Sequence, residues 1–189
     1  MGNEILDRAI EFAVDAHRGQ LRKDGGPFIL HPLEDAAIVA TMTMDPEVLA
    51  AAVLHDTVED TAVTPEEILE NFGERVYGLV MHETENKRED EPPASTWQIR
   101  KDETLQILAE TKDVAVKMLW LGDKLSNMRA FYRHYTELGE AFFERFNNPD
   151  PKAHAWYYGT VLKLLRELDC YPAYREYETL YHELFDRYA

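Results

Sequence analysis

A single cysteine, Cys170, stands among 189 residues. No intramolecular disulfide can staple this chain, and nothing in it points to an oxidising compartment. Basic residues are scarce: 20 Lys and Arg against 36 Asp and Glu give a formal net charge of -16. A surface that grips nucleic acid or an anionic membrane needs a basic footprint to neutralise phosphates, and this balance excludes one. Long apolar runs are missing as well, since the stretch at 49–54 is far too short to span a bilayer. Residues 1–8 hold no basic segment followed by an apolar core, and Leu6 stands where a myristoylation signal needs Ser or Thr. They read as the start of a helix, and a cytoplasmic location is the expectation.

Strand-like alternation of β-branched and polar residues is absent too, and no repeat period shows. What the chain has instead is apolar spacing of three and four. Ile5, Ala9, Phe12, Ala13 and Ala16 mark a first helix, which ends at a stretch with three glycines, residues 19–27. His31-Pro32 opens a second helix with a small face of Ala36, Ala37, Val39 and Ala40. Asp45-Pro46 supplies the N-cap and first residue of a third, ending near His55-Asp56. Thr64-Pro65-Glu66-Glu67 is a capping box, Gly73 stops the helix it starts, and a short helix follows through Val76, Leu79 and Val80. Residues 87–96, with Pro92-Pro93, read as an exposed charged loop near the mouth of a site. Val114, Met118, Leu121, Leu125 and Met128 define a buried helix that carries Asp123 and Asn127 on one face. Helices at about 153–168 and 172–188 follow, with Phe142, Phe143 and Phe146 packed between. With 45% apolar residues spread along its length, the chain reads as one all-α domain, a helical bundle covering 1–189.

Chemistry-bearing residues gather in four short segments: His31-Pro32, His55-Asp56, Glu59-Asp60 and Asp123-Lys124-Leu125-Ser126-Asn127. Alone, each has an ordinary explanation, for a single His beside an apolar helix is more often a hydrogen-bonded core residue than a ligand, and Asp123 could pair with Lys124. Their context argues otherwise. His55-Asp56 follows Ala51-Ala52-Val53-Leu54, and Asp123 follows Met118-Leu119-Trp120-Leu121, so both carboxylates sit at the ends of apolar helical runs. Burying a carboxylate there is costly unless it is paired or bound to a cation, and two such sites invite a shared ion. Two imidazoles with two carboxylates suit manganese or iron better than magnesium, which prefers an all-oxygen shell. A bound cation also draws an anionic substrate to a chain of this net charge.

Taken in order, His17-Arg18-Gly19-Gln20-Leu21-Arg22-Lys23, Pro27-Phe28-Ile29-Leu30-His31-Pro32-Leu33, Leu54-His55-Asp56-Thr57-Val58-Glu59-Asp60-Thr61 and Asp123-Lys124-Leu125-Ser126-Asn127-Met128 resemble the hydrolase domain of RelA/SpoT proteins, within the wider HD phosphohydrolases. The likeness covers roughly the first two-thirds of the chain. With no synthetase motifs after it, the sequence resembles the stand-alone small alarmone hydrolases, a group that includes the metazoan SpoT homologue. The resemblance implies an HD-domain bundle that hydrolyses the 3′-pyrophosphate of ppGpp or pppGpp, giving GDP or GTP and pyrophosphate. It implies that His31, His55, Asp56 and Asp123 ligate Mn2+, and that Glu59 and Asp60 position and deprotonate the attacking water, one helical turn beyond Asp56. It places Arg22 on the guanine face, Lys23 near phosphate and Asn127 at the sugar, with Tyr157 lining the pocket. The family's remaining phosphate-binding lysine falls on Lys87, Arg100 or Lys101, which the sequence does not separate.

Gly122 stands where the family usually has Ala, which reads as a small change. Trp156 reads equally well as core, and His17, His82, His134 and His182 have no metal-ligand spacing. The same metal centre could serve another nucleotide, such as the 2′-phosphate of NADPH or an adenine alarmone, or belong to a silent nucleotide-sensing module, though a sensor has no need of Glu59-Asp60. The expected partner is a small nucleotide, with no nucleic acid and no membrane; the oligomeric state stays open.

Overall fold

A computed structural model describes residues 4–88 and 90–188; the helix start read at residues 1–3 lies outside the described residues. The secondary structure is helical, and among the described residues the only β pairing is an isolated bridge between Leu21 and Pro27. The all-α expectation holds. No helix among these residues is long and apolar enough to cross a membrane. The chain falls into two compact units, Met1–Thr84 with Asp113–Asp123, and Glu85–Lys112 with Lys124–Ala189.

The first unit is organised around α3 (Pro46–Leu54), in which every residue from Val48 to Leu54 is buried. A helix apolar on all sides is stable only when covered on all sides, and here α1 (Glu4–Ala16), α2 (Leu30–Val39) and α5 (Pro65–Glu83) pack against it. Asp45 caps it, accepting from the Glu47 N–H at 3.0 Å, with Pro46 at the first position as expected. After His55 and Asp56 the chain makes one further helical turn, α4 (Thr57–Asp60). The capping box at α5 is formed in both directions, Glu67 N–H to Thr64 Oγ1 at 3.3 Å and Thr64 N–H to Glu67 Oε2 at 2.8 Å. Gly73 breaks α5 with φ 85° and ψ 173°, a conformation in which a Cβ is strained. The helix therefore stops at Gly73 and restarts with Val76, Leu79 and Val80 buried.

In the second unit, α6 (Pro93–Glu110) packs on α8 (Pro151–Leu164), and α8 on α9 (Pro172–Phe185). Helix α7 (Val114–Leu138) begins in the first unit and continues into this one. The sequence reading missed α6. Pro92-Pro93 is not a mid-loop pair: Pro93 is the first helical residue, where a missing N–H costs nothing. Only Thr96, Trp97, Thr104, Leu105 and Leu108 of α6 are buried, too sparse a stripe among charged neighbours to announce a helix. The last two expected helices are present, each ending in a tightened 3-10 turn, Arg166–Leu168 after α8 and Asp186–Tyr188 after α9. Phe142, Phe143 and Phe146 form the expected aromatic cluster with Phe131, whose ring lies 5.0 Å from Phe142 and 5.3 Å from Tyr158.

Candidate metal centre

Three segments of the first unit deliver the ligand candidates: the start of α2, the junction of α3 with α4, and α7. His31 is the second residue of α2, His55 follows the last residue of α3, Asp56 precedes α4, and Asp123 comes from the early turns of α7. The break between α3 and α4 that carries His55-Asp56 is held by Thr57, whose hydroxyl donates to Leu54 O at 2.6 Å. His31, His55 and Asp123 are buried, and one donor atom from each lies within 4.8 Å of the others. Asp56 joins them through Oδ2, 3.4 Å from His31 Nε2 and 3.2 Å from His55 Nε2. Asp123 Oδ1 is 3.2 Å from His31 Nε2 and 4.0 Å from His55 Nε2.

These separations can be tested against an ion. Metal–ligand bonds of about 2.0–2.2 Å to His nitrogen and carboxylate oxygen put neighbouring donors at roughly 3 Å and opposed donors at roughly 4 Å, the range seen here. The tautomer fits as well: His55 Nδ1 is 2.8 Å from Ala52 O, an acceptor only, so Nδ1 carries the hydrogen and Nε2 keeps its lone pair. That Nε2 is buried without a hydrogen-bond partner among the described residues. The donor set fits a divalent metal ion.

Burial pushes the His55 imidazole down, but Asp56, Asp35 and Asp123 outweigh it and hold the ring well above its ordinary value. Burial pushes Asp56 up, and His55 and His31 outweigh it, holding the carboxyl far below the usual carboxylate range. Asp35 goes the other way. Burial raises it well above the usual range, His55 offsets only part of that, and Asp123, Glu83 and Asp56 add to it.

Glu59 and Asp60 lie on α4, half-buried, one turn past Asp56, and the Asp60 N–H donates to Asp56 O at 2.9 Å. Arg22 and Lys23 sit in a tight turn closed by Arg22 N–H to Gly26 O at 2.8 Å and Gly25 N–H to Arg22 O at 2.9 Å. Buried His17 anchors this turn through Nδ1 to Gln20 Oε1 at 2.8 Å and stacks on Phe28. The remaining candidates belong to the second unit. Asn127 is half-buried on α7, one turn beyond Asp123, and Lys87 is half-buried in the segment before α6. Tyr157 is buried, with Lys101 Nζ 4.8 Å above its ring. Arg100 and Lys101 both pair with Glu85, Arg100 at 2.8 Å. Trp156 is no core residue: it is 40% exposed while its neighbour Tyr157 is buried. Among the described residues, His17, His82, His134 and His182 stand outside the metal cluster.

Two features escaped the sequence reading. Asp35, one turn after His31, is completely buried, with Oδ2 3.3 Å from His55 Nδ1. Beside Glu34 it looks like half of a solvated charge pair; only its place four residues after His31, on the small-residue face, hinted otherwise. Gly122 is also more than a small change. A Cβ there would overlap Asp35 Oδ1 and come within 2.7 Å of Val39 Cγ2, so alanine does not fit unless the Asp35 and Val39 side chains shift.

Comparison with known proteins finds relatives over most of this chain. A 3′-pyrophosphohydrolase of guanosine-3′,5′-bis(diphosphate) from Aquifex aeolicus is 43% identical over 129 residues, which cover 68% of this chain and 18% of that protein. A GTP pyrophosphokinase from Brucella melitensis is 40% identical over 125 residues, 66% of this chain and 16% of its own length. This chain thus spans less than a fifth of these curated relatives. Among solved structures, a metazoan orthologue of SpoT described as hydrolysing ppGpp superposes with a TM-score of 0.73 at 26% identity, covering 97% of this chain and 95% of that one. A Listeria monocytogenes protein superposes at 0.71 with 28% identity, covering 86% and 98%. The family described as HD domain matches residues 9–144, a span that contains all four clustered ligand candidates, and the chain belongs to this HD-domain family.

Proposed function

We propose that this protein is a manganese-dependent hydrolase of ppGpp and pppGpp that releases the 3′-pyrophosphate and leaves GDP or GTP. The observation that carries this reading is the convergence of buried His31, His55 and Asp123 with half-buried Asp56 into one cluster with metal-like separations. It is supported by the likeness to proteins described as acting on this nucleotide.

His31, His55, Asp56 and Asp123 hold the ion, and the two imidazoles among its four ligands favour manganese over magnesium, which prefers an all-oxygen shell. The ion supplies Lewis acidity that activates water and stabilises charge developing on the phosphoryl group. Glu59 and Asp60 orient the water and accept its proton as its oxygen bonds to phosphorus and the bond to the 3′-oxygen breaks. Arg22 stacks on the guanine, a role suited to a planar guanidinium, and Lys23 lies near phosphate. Asn127 contacts the sugar, while Lys87 and Tyr157 complete the substrate contacts. Residues 1–189 act as one hydrolase domain, in the cytoplasm, on a small-molecule substrate.

The test is product analysis by anion-exchange chromatography after incubating the protein with Mn2+ and ppGpp. Pyrophosphate and GDP, with the 5′-diphosphate untouched, are expected. Release of single phosphates only, or no reaction with ppGpp beside rapid dephosphorylation of NADPH, overturns the substrate assignment.

A further inference from the structure

The Asp35 carboxylate touches all three elements that carry the ligand candidates. It lies on α2 one turn after His31, its Oδ2 is 3.3 Å from His55 Nδ1 at the end of α3, and its Oδ1 rests where a side chain on Gly122 of α7 would stand, next to Asp123. The residue is wholly buried, and neither carboxylate oxygen has a well-formed hydrogen bond among the described residues. A buried carboxylate without such bonds is expensive. Nothing about helix packing calls for one, since Val39, the neighbour it shares against Gly122, fills space there without a charge.

The His55 ring explains its presence. Nδ1 points back toward Ala52 O and Asp35, which leaves Nε2 facing Asp56 and Asp123. When a cation binds Nε2, positive charge spreads through the imidazole to the Nδ1–H edge, where the Asp35 carboxylate lies 3.3 Å away. A carboxylate behind a ligating imidazole fixes the ring's orientation and raises its basicity as a ligand. The missing side chain at Gly122 is what admits the carboxylate to this position.

We propose that Asp35, seated in the space left by Gly122, is a positioning residue for the metal centre, adding its charge to the Ala52 carbonyl behind His55 Nδ1 and so strengthening metal binding at Nε2. This rests on the reading of the cluster as a metal site. The experiment titrates Mn2+ into metal-free wild type and metal-free Asp35→Asn, following free Mn2+ by its electron paramagnetic resonance signal, with thermal melts of both metal-free proteins. Asparagine keeps the shape and removes the charge. The expected result is an Asp35→Asn protein that melts no lower than wild type without metal and binds Mn2+ about 10- to 100-fold more weakly. Asp35→Ala serves the same titration if the Asn variant does not fold. An affinity within about threefold of wild type in the folded variant overturns the role of Asp35 and leaves the metal site standing. A wild-type protein that binds no divalent ion overturns both.

Discussion

His31 Nε2 faces Asp123 Oδ1 across 3.2 Å, and the two side chains come from the start of α2 and the early turns of α7, two helices far apart in the sequence of their unit. Neither helix makes the site alone. The ion that this pair and its neighbours fit would tie distant parts of the chain together, so metal binding and stability should be coupled.

Replacing His55 or Asp56 with Ala should therefore lower metal content and activity together. Elemental analysis of protein purified without chelator, beside initial rates on ppGpp, is the check. Full metal occupancy in either variant contradicts its place as a ligand.

Glu59→Gln should fail differently. It keeps the shape of a side chain on α4 while removing the carboxylate proposed to take the water's proton, a contribution worth about 10²–10⁴-fold in rate. Metal content and ppGpp binding should persist, and Asp60→Asn should behave alike. Near-normal turnover, or loss of metal, would show that the division of labour between Asp56 and the two acids after it is wrong.

Gly122→Ala tests packing apart from charge. The added methyl meets Asp35 Oδ1 and Val39 Cγ2, and overpacking of this kind costs about 1–3 kcal/mol. Urea unfolding of the metal-free variant at neutral pH measures it. Unchanged stability would mean that the Asp35 and Val39 side chains move aside at no cost.

Glu85 gives a pH-dependent expectation. Burial raises its carboxyl, but Lys101 foremost, then Lys124 and Arg100, outweigh burial and hold it below the ordinary glutamate range. A group lowered in the folded state contributes stability that is fully present above its unfolded value, about 4.3, and is lost as pH falls through its folded value. Glu85→Gln should thus be less stable than wild type near pH 7, by about 3 kcal/mol for breaking a largely buried ion pair. The gap should close in acid, which urea unfolding at both pH values reads out. A gap that does not shrink in acid would assign the effect to packing.

Much of this protein was legible in one dimension, because capping and ligand chemistry are local. Asp45-Pro46, the Thr64 to Glu67 box and the break at Gly73 act within a few residues of themselves, and all three stand where sequence patterns put them. The motifs with His31, His55, Asp56 and Asp123 were readable for the same reason: each carries its own residue types and its own apolar run. Helix α6 was not, since its five buried residues gain their meaning only from packing on α8. The contrast of exposed Trp156 with buried Tyr157 likewise depends on which side of α8 is covered, something two adjacent aromatics do not reveal. Asp35 and Gly122 are the clearest case. An acid beside Glu34 and a glycine before Asp123 look incidental until α2 and α7 approach so closely that the carboxylate takes the place of a side chain. Sequence determined most of the helices and the residue types of the candidate metal site. Tertiary structure alone decided that Asp35 is buried behind His55, because burial follows from close packing between segments far apart in the chain.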